Sequence, residues 1–183
     1  MFAKNGVSRT TLQHIATAAG VTRGAIYWHF VDKGAVFSAM MQRATMPMDA
    51  AVKLAGERAD TDPLQSLRNE MLAVLQIVEG DEKARRVFEI ATLKTEFTDE
   101  VDSARAHKRE SVARWRGRLQ EQFTQAMADG TLPATVDPRK ASMSVWVMLD
   151  GLIRNWIFEP GAFELVDLGA ELIDTYMAGL RAR

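Results

Sequence analysis

Thr22, Arg23, Gly24, Tyr27, Trp28, His29 and Lys33 lie within twelve residues of one another. Their side chains are those that touch nucleic acid. A guanidinium fork such as that of Arg23 can pair with the O6 and N7 edge of guanine. Thr22, Tyr27, Trp28 and His29 can reach phosphate oxygens or thymine methyl groups, and the Lys33 ammonium suits a phosphate. Gly24 has no side chain to keep its backbone away from DNA. Thr10 and Thr11, one helix earlier, offer hydroxyls and a helix N-terminus to the phosphate backbone. The competing reading of the aromatic residues is plain core. It is adopted for Ile26 and Phe30 and stays open for Tyr27 and Trp28.

No other grouping in the chain suggests chemistry. His14, His29 and His107 are scattered without metal-ligand spacing, and the chain has no Cys. Disulfides and thiolate zinc sites are therefore excluded, which suits a reducing compartment. A nucleophile would have to be Ser or Lys, and no base stands beside one. The carboxylates fall at helix caps or on helix surfaces. No catalytic residue, metal site or cofactor is expected.

The elements that must position the cluster read as helices almost throughout, so the fold class is all-α. Asn5-Gly6 ends a first short helix. Thr10 with Gln13 three residues on reads as a capping box opening a helix to about Ala19. Gly20 supplies a turn, and Thr22 caps a short helix to about His29. Such a short helix is marginal alone and must be held by its neighbours. Two short helices around a Gly turn form a helix-turn-helix, whose second helix enters the major groove. Asp32 caps a helix from Lys33 to about Ala55, with Val36, Phe37, Met40 and Met41 inward. Pro47 is expected to kink or divide it.

Beyond it, Asp62-Pro63 pairs a cap with Pro at the first helical position, and the stripe Leu64, Leu67, Met71, Val74, Val78 runs to Gly80. Asp81 caps a helix with Ala84, Val87, Phe88 and Ala91 in register. Thr98 or Asp99 opens a long helix to about Asp129, striped by Val101, Ala104, Val112, Trp115, Leu119, Phe123 and Met127. Asp137-Pro138 opens an apolar helix to Phe158, and a last helix spans about Glu164 to Arg181.

Charge divides the same way. Residues 1–45 hold Lys4, Arg9, Arg23, Lys33 and Arg43 against Asp32 alone, a net +4, while the whole chain is −1. A basic head on an acidic body fits a DNA-binding domain joined to a second domain. The expected domains are 1–46, the helix-turn-helix head, and 47–183, a body for ligand binding and dimerisation, bridged by the helix from Lys33. No apolar run reaches the ~18 residues of a membrane span and no signal peptide is seen, so the expected setting is the cytoplasm.

Thr10-Thr11, Ile15-Ala16, Ala19-Gly20-Val21 and Gly24-Ala25-Ile26-Tyr27-Trp28-His29-Phe30, followed by Lys33, resemble the TetR family of bacterial transcriptional repressors. The run Val21 to Phe30 is similar to the AcrR-type branch, which represses multidrug efflux genes. Asp62-Pro63-Leu64, Lys94-Thr95-Glu96-Phe97, Gly130-Thr131-Leu132-Pro133 and Asp150-Gly151-Leu152-Ile153-Arg154-Asn155-Trp156 extend the resemblance through the body. It implies DNA contacts from Tyr27 and His29 rather than core roles. It also implies a basic arm and a full first helix ahead of Phe2; in this sequence only the last residues of that helix appear.

The partners it implies are a double-stranded pseudo-palindromic operator and a hydrophobic or aromatic inducer. Met71, Val74, Phe88, Thr92, Val112, Trp115, Leu119, Trp146, Leu149 and Ile153 fall where AcrR-like relatives place their drug pocket, with Asp150 a rare charge among them. A buried carboxylate needs a partner, and Arg154 one turn on could serve. One head covers only a half-site, so a homodimer is expected. Its face would be built from the last two helices, through Ala141, Val145, Met148, Leu152 and Trp156 and through Val166, Ala170, Ile173 and Met177. The plainer reading is that these stripes, and the pocket residues, face only their own core. An all-α carrier or enzyme using the same apolar pocket is the alternative from another class. The basic run Arg105, Lys108, Arg109, Arg114, Arg116 and Arg118 reads as a solvated helix face, with Glu110 and Glu121 interleaved.

Overall fold

Side chains that satisfy orphan amide groups write most helix starts in this chain. In the computed structural model, Thr11 caps α2 (Leu12–Ala19), Thr22 caps α3 (Arg23–His29), Asp62 caps α5 (Pro63–Gly80) and Asp137 caps α8 (Pro138–Phe158). Asp32 Oδ1 accepts from the Ala35 amide at 2.7 Å at the start of α4 (Lys33–Glu57). α1 (Phe2–Asn5), α6 (Glu82–Leu93), α7 (Asp102–Ala128) and α9 (Leu165–Arg181) complete nine helices among the described residues, with no strand. Those residues are 1–57, 62–93 and 102–182; for 44–48, 57, 102–105, 107 and 108 the backbone alone is described. Thr98, Asp99, Val101 and the Lys94–Phe97 segment lie outside them, as do the side chains of Ala104, Arg105, His107 and Lys108.

One expectation changes. The capping box sits one residue later than the sequence suggested. The His14 amide donates to Thr11 Oγ1 at 3.1 Å, and the Thr11 amide donates to His14 Nδ1 at 3.4 Å, so His14 rather than Gln13 closes the box. Pro47 does not divide α4, whose helical backbone is continuous from Lys33 to Glu57.

The chain forms two compact units. The first comprises Met1–Met46 and Lys83–Ser111, the second Pro47–Glu82 and Val112–Arg183. The divisions fall after Met46, Glu82 and Ser111, so Lys83–Ser111 belongs to the same unit as Met1–Met46. In the first unit Phe2, Val7, Phe37, Ile90 and Ala91 form a core, with Val36, Met40 and Met41 packed against it. The Phe2 and Phe37 rings meet edge-on at 5.8 Å. On α6 Ala84, Ile90 and Ala91 are buried, while Val87 and Phe88 are half-buried. In the second unit α5 packs on α9 and on α8, and α8 on α9. Its core is the stripe Leu64, Leu67, Met71, Leu75 and Val78 against Leu119, Phe123, Val145, Leu149, Leu165 and Ile173. The Arg68 fork spans from α5 to the Asp174 carboxylate of α9, with contacts at 2.5 and 2.8 Å. That pairing raises the Arg68 pKa and lowers that of Asp174.

Candidate nucleic-acid interface

Seven residues cannot hold a helix in water, so α3 is held by what it buries. Ile26 packs with Leu12 and Ala16 of α2, and Ile15, Phe30 and Val36 close around them. The α2–α3 turn needs a left-handed residue, which Gly20 provides at φ 67° and ψ 25°. The Val21 amide donates to the Ala16 carbonyl at 3.0 Å across that turn. At the other side of the turn the Ala25 amide donates to Thr22 Oγ1 at 3.1 Å.

With Ile26 inward, the rest of α3 turns outward. Arg23, Gly24, Tyr27, Trp28 and His29 are all exposed, Trp28 at 83%. A large indole that bare is not core, which settles the alternative reading for Trp28; Tyr27 is also exposed. Ile26 is buried and Phe30 half-buried, as the sequence suggested. The Arg23 guanidinium lies over the Tyr27 ring, 5.3 Å from its centroid. Trp28 and His29 meet edge-on at 4.9 Å. A Cβ built on Gly24 would meet only Thr22 Oγ1, at 4.0 Å. The protein itself therefore leaves room for a side chain there.

Thr11 is exposed. Thr10 is not. It is fully buried and its hydroxyl donates to the Gly6 carbonyl at 2.7 Å, so it leaves the expected phosphate set and closes the loop after α1 instead. Periodicity could not separate two adjacent threonines. Lys33 also has an internal partner that the sequence did not suggest: its Nζ donates to the Ser8 carbonyl at 2.8 Å. It ties the loop before α2 to the start of α4.

The expected ligand-lining residues are spread over both units. Phe88 and Thr92 are half-buried in the first; the other nine belong to the second. There Met71, Val74, Leu119, Leu149 and Ile153 are buried, and Val112, Trp115, Trp146 and Asp150 are half-buried. Asp150 is not the buried carboxylate the sequence suggested. Its side chain is 34% exposed and pairs with Arg154 at 3.5 Å one turn on, which is worth at most a few tenths of a kcal/mol. Arg116 lies over the Trp146 ring at 6.0 Å and donates to Met143 Sδ at 3.3 Å. The more deeply set acid is Glu70, whose carboxylate accepts from Gln122 Nε2 at 2.6 Å. Burial pushes its pKa up, opposed by Gln122 and by the charge of Arg118. An acid at the edge of an apolar stripe reads as a solvated position, so no local signal marked it.

The stripes proposed for a dimer face also need correction. Ala141, Val145, Leu152, Ile173 and Met177 are buried within the single chain, and Met148, Trp156, Val166 and Ala170 are half-buried. The large apolar side chains exposed on these two helices are Met143, Val147 and Phe158 on α8 and Leu172 on α9. The spacing 143, 147, 158 follows one helical stripe, opposite the buried one.

Residues 1–40 match the description "Bacterial regulatory proteins, tetR family", and residues 62–181 match "MAATS-type transcriptional repressor, C-terminal region". The chain belongs to the TetR family of transcriptional regulators. The HTH-type transcriptional regulator TtgR of Pseudomonas putida is 34% identical over 180 residues, covering 98% of this chain and 86% of the relative. AcrR of Shigella flexneri is 33% identical over 186 residues, covering 97% and 84%. The crystal structure of NalD, the secondary repressor of the MexAB-OprM multidrug efflux pump in Pseudomonas aeruginosa, superposes with a TM-score of 0.86 at 32% identity over 98% of this chain and 89% of that one. These TetR-family relatives are regulators rather than enzymes. Among the described residues no helix is long and apolar enough to cross a membrane, and no cluster of metal-binding side chains is present.

Proposed function

We propose that this TetR-family regulator is a ligand-responsive repressor that binds a pseudo-palindromic operator as a cytoplasmic homodimer. A hydrophobic or aromatic small molecule releases it, and the genes it controls encode multidrug efflux. The observation that carries the DNA reading is the division of α3. Ile26 anchors one side in the head core, and Arg23, Gly24, Tyr27, Trp28 and His29 occupy the exposed side of a helix-turn-helix. Arg23 serves as the base contact, Gly24 as the point of close approach, and Thr11, Thr22, Tyr27, Trp28 and His29 as contacts to phosphate or thymine methyl. Lys33 contributes charge. Efflux control is supported by what NalD is described to repress.

Residues 1–46 act as the DNA-binding part and 47–183 as the part for ligand and partner. The apolar side chains Met71, Val74, Leu119, Leu149 and Ile153, with the sparse polar groups near them, suit a flat, poorly soluble ligand. Two half-sites one DNA turn apart require two heads. The exposed stripe Met143, Val147 and Phe158 on α8, with Leu172 on α9, supports dimerisation through the last two helices. Ligand binding favours a dimer conformation whose heads no longer match successive major grooves.

Footprinting upstream of the protein's own gene, with and without aromatic drugs, tests this. A protected palindrome that the drug releases is the expected result. Ligand-induced stabilisation with no protected DNA would favour the carrier or enzyme reading instead. Arg23→Ala is expected to weaken operator binding by about 1–3 kcal/mol with the melting temperature unchanged. Wild-type affinity for that variant in a gel-shift titration would remove Arg23 from the base-reading role.

A further inference from the structure

Arg23 stands at the first position of α3, where a cation is poorly placed. The free amide groups of a helix N-terminus carry partial positive charge, and α3 has no acid in its first turn to balance it. A long guanidinium side chain there has many rotamers to lose on binding. Among the described residues its guanidinium has no hydrogen-bond or ion-pair partner. What it has is the Tyr27 ring four residues on, on the same helix face, at 5.3 Å from the centroid.

We propose that Tyr27 is a positioning residue for Arg23: its ring holds the guanidinium over itself and so aims the fork at a base edge. The inference rests on the DNA-binding reading of α3. A guanidinium stacked on a ring keeps its in-plane N–H donors free, so the same fork can still pair with guanine O6 and N7. Stacking in the free protein removes part of the ordering cost before DNA arrives. The arrangement has no competitor within the helix, because Trp28 and His29 pair with each other. Ile26, next in sequence, is buried and fixes the direction in which Tyr27 leaves the helix. One side chain thereby has two separable parts. The hydroxyl, which has no hydrogen-bond partner among the described residues, is left for a phosphate. The ring acts on Arg23.

The test uses the full chain and a duplex enriched from a randomised 30-base-pair library (a length of about three helical turns). The guanine read by Arg23 is located first, as the one whose replacement by 7-deazaguanine weakens wild-type binding but not that of Arg23→Ala. Discrimination is then the ratio of dissociation constants for the substituted and unsubstituted duplexes. Tyr27→Phe is expected to bind both duplexes more weakly by the same factor and keep the wild-type ratio. Tyr27→Leu is expected to lose about threefold of that ratio, the scale of one exposed cation–ring contact. In an Arg23→Ala background Tyr27→Leu should change the ratio no further. Circular dichroism checks that each variant folds, with Tyr27→Met as a second ring-deleting variant. An unchanged ratio in Tyr27→Leu and Tyr27→Met overturns the inference, as does an equal loss in Tyr27→Phe. Failure of the wild-type protein to enrich any sequence overturns the DNA-binding reading itself.

Discussion

Gly24 of α3 and Gly169 of α9 both stand where helix stability alone would prefer alanine, and the two have opposite surroundings. A Cβ on Gly169 of α9 would fall 2.1 Å from Leu75 Cδ1, a fully buried side chain of α5. A Cβ on Gly24 of α3 would meet nothing closer than 4.0 Å. Gly169 is explained from within: α9 lies so close to α5 that no side chain fits between them. Gly24 has no such explanation. A helical glycine costs about 0.5–1 kcal/mol relative to alanine, and nothing in the fold offsets that cost at Gly24. Gly169 serves the body's own packing, whereas Gly117, Gly151 and Gly179 of the body are as open as Gly24. What sets Gly24 apart from those is its place on the exposed side of α3, the face proposed to approach DNA.

Single substitutions can break or sharpen this contrast. The largest effect is expected from Gly169→Ala. Leu75 would have to leave its rotamer inside a filled core, at a cost of about 1–3 kcal/mol. Thermal unfolding should show a fall in Tm of several degrees. An unchanged Tm would mean that α5 and α9 can part freely, and the contrast would lose its internal half. Gly24→Ala should do the reverse. Its Tm should hold or rise, by up to about 1 kcal/mol of helix stability, while operator affinity falls by roughly tenfold, the scale of one good contact. A variant that binds as well as the parent would leave Gly24 without a role.

Lys33→Met tests the edge between the two behaviours. Losing the hydrogen bond to the Ser8 carbonyl should lower stability by about 1 kcal/mol. The salt dependence of DNA binding should flatten as well if the ammonium also meets a phosphate. Chemical denaturation and a salt titration separate the two effects.

The smallest effect belongs to Glu70. Burial disfavours its carboxylate, so the folded protein keeps this proton to higher pH than the unfolded chain does. Stability from this group is therefore greatest below the usual carboxylate pKa and falls as pH rises through the raised value. Glu70→Gln should raise Tm slightly at pH 8, and the gain should vanish at pH 3. The Glu70 side chain lies against Gly56, and a gain independent of pH would assign the effect to that packing rather than to charge.

What the sequence could state by itself was local. The caps at Thr22, Asp32, Asp62 and Asp137, the left-handed Gly20 and the stripe Leu64 to Val78 all follow from neighbours within a few residues, and all stand in the structure. So does the helix-turn-helix with Ile26 inward, which fixed the outward set on α3. Matters that depend on a distant partner could not be read. Thr10 and Thr11 are alike in one dimension, and only the loop from Gly6 decides which hydroxyl is consumed. Lys33 looked free until the Ser8 carbonyl came within 2.8 Å. On α8 the sequence offers several apolar stripes of similar quality. Which of them is core depends on where α5 and α9 pack, and that left Met143, Val147 and Phe158 exposed rather than Val145 and Leu152. Periodicity gives a helix its faces, but only the packing of other helices against it decides which face is spent and which remains for a partner.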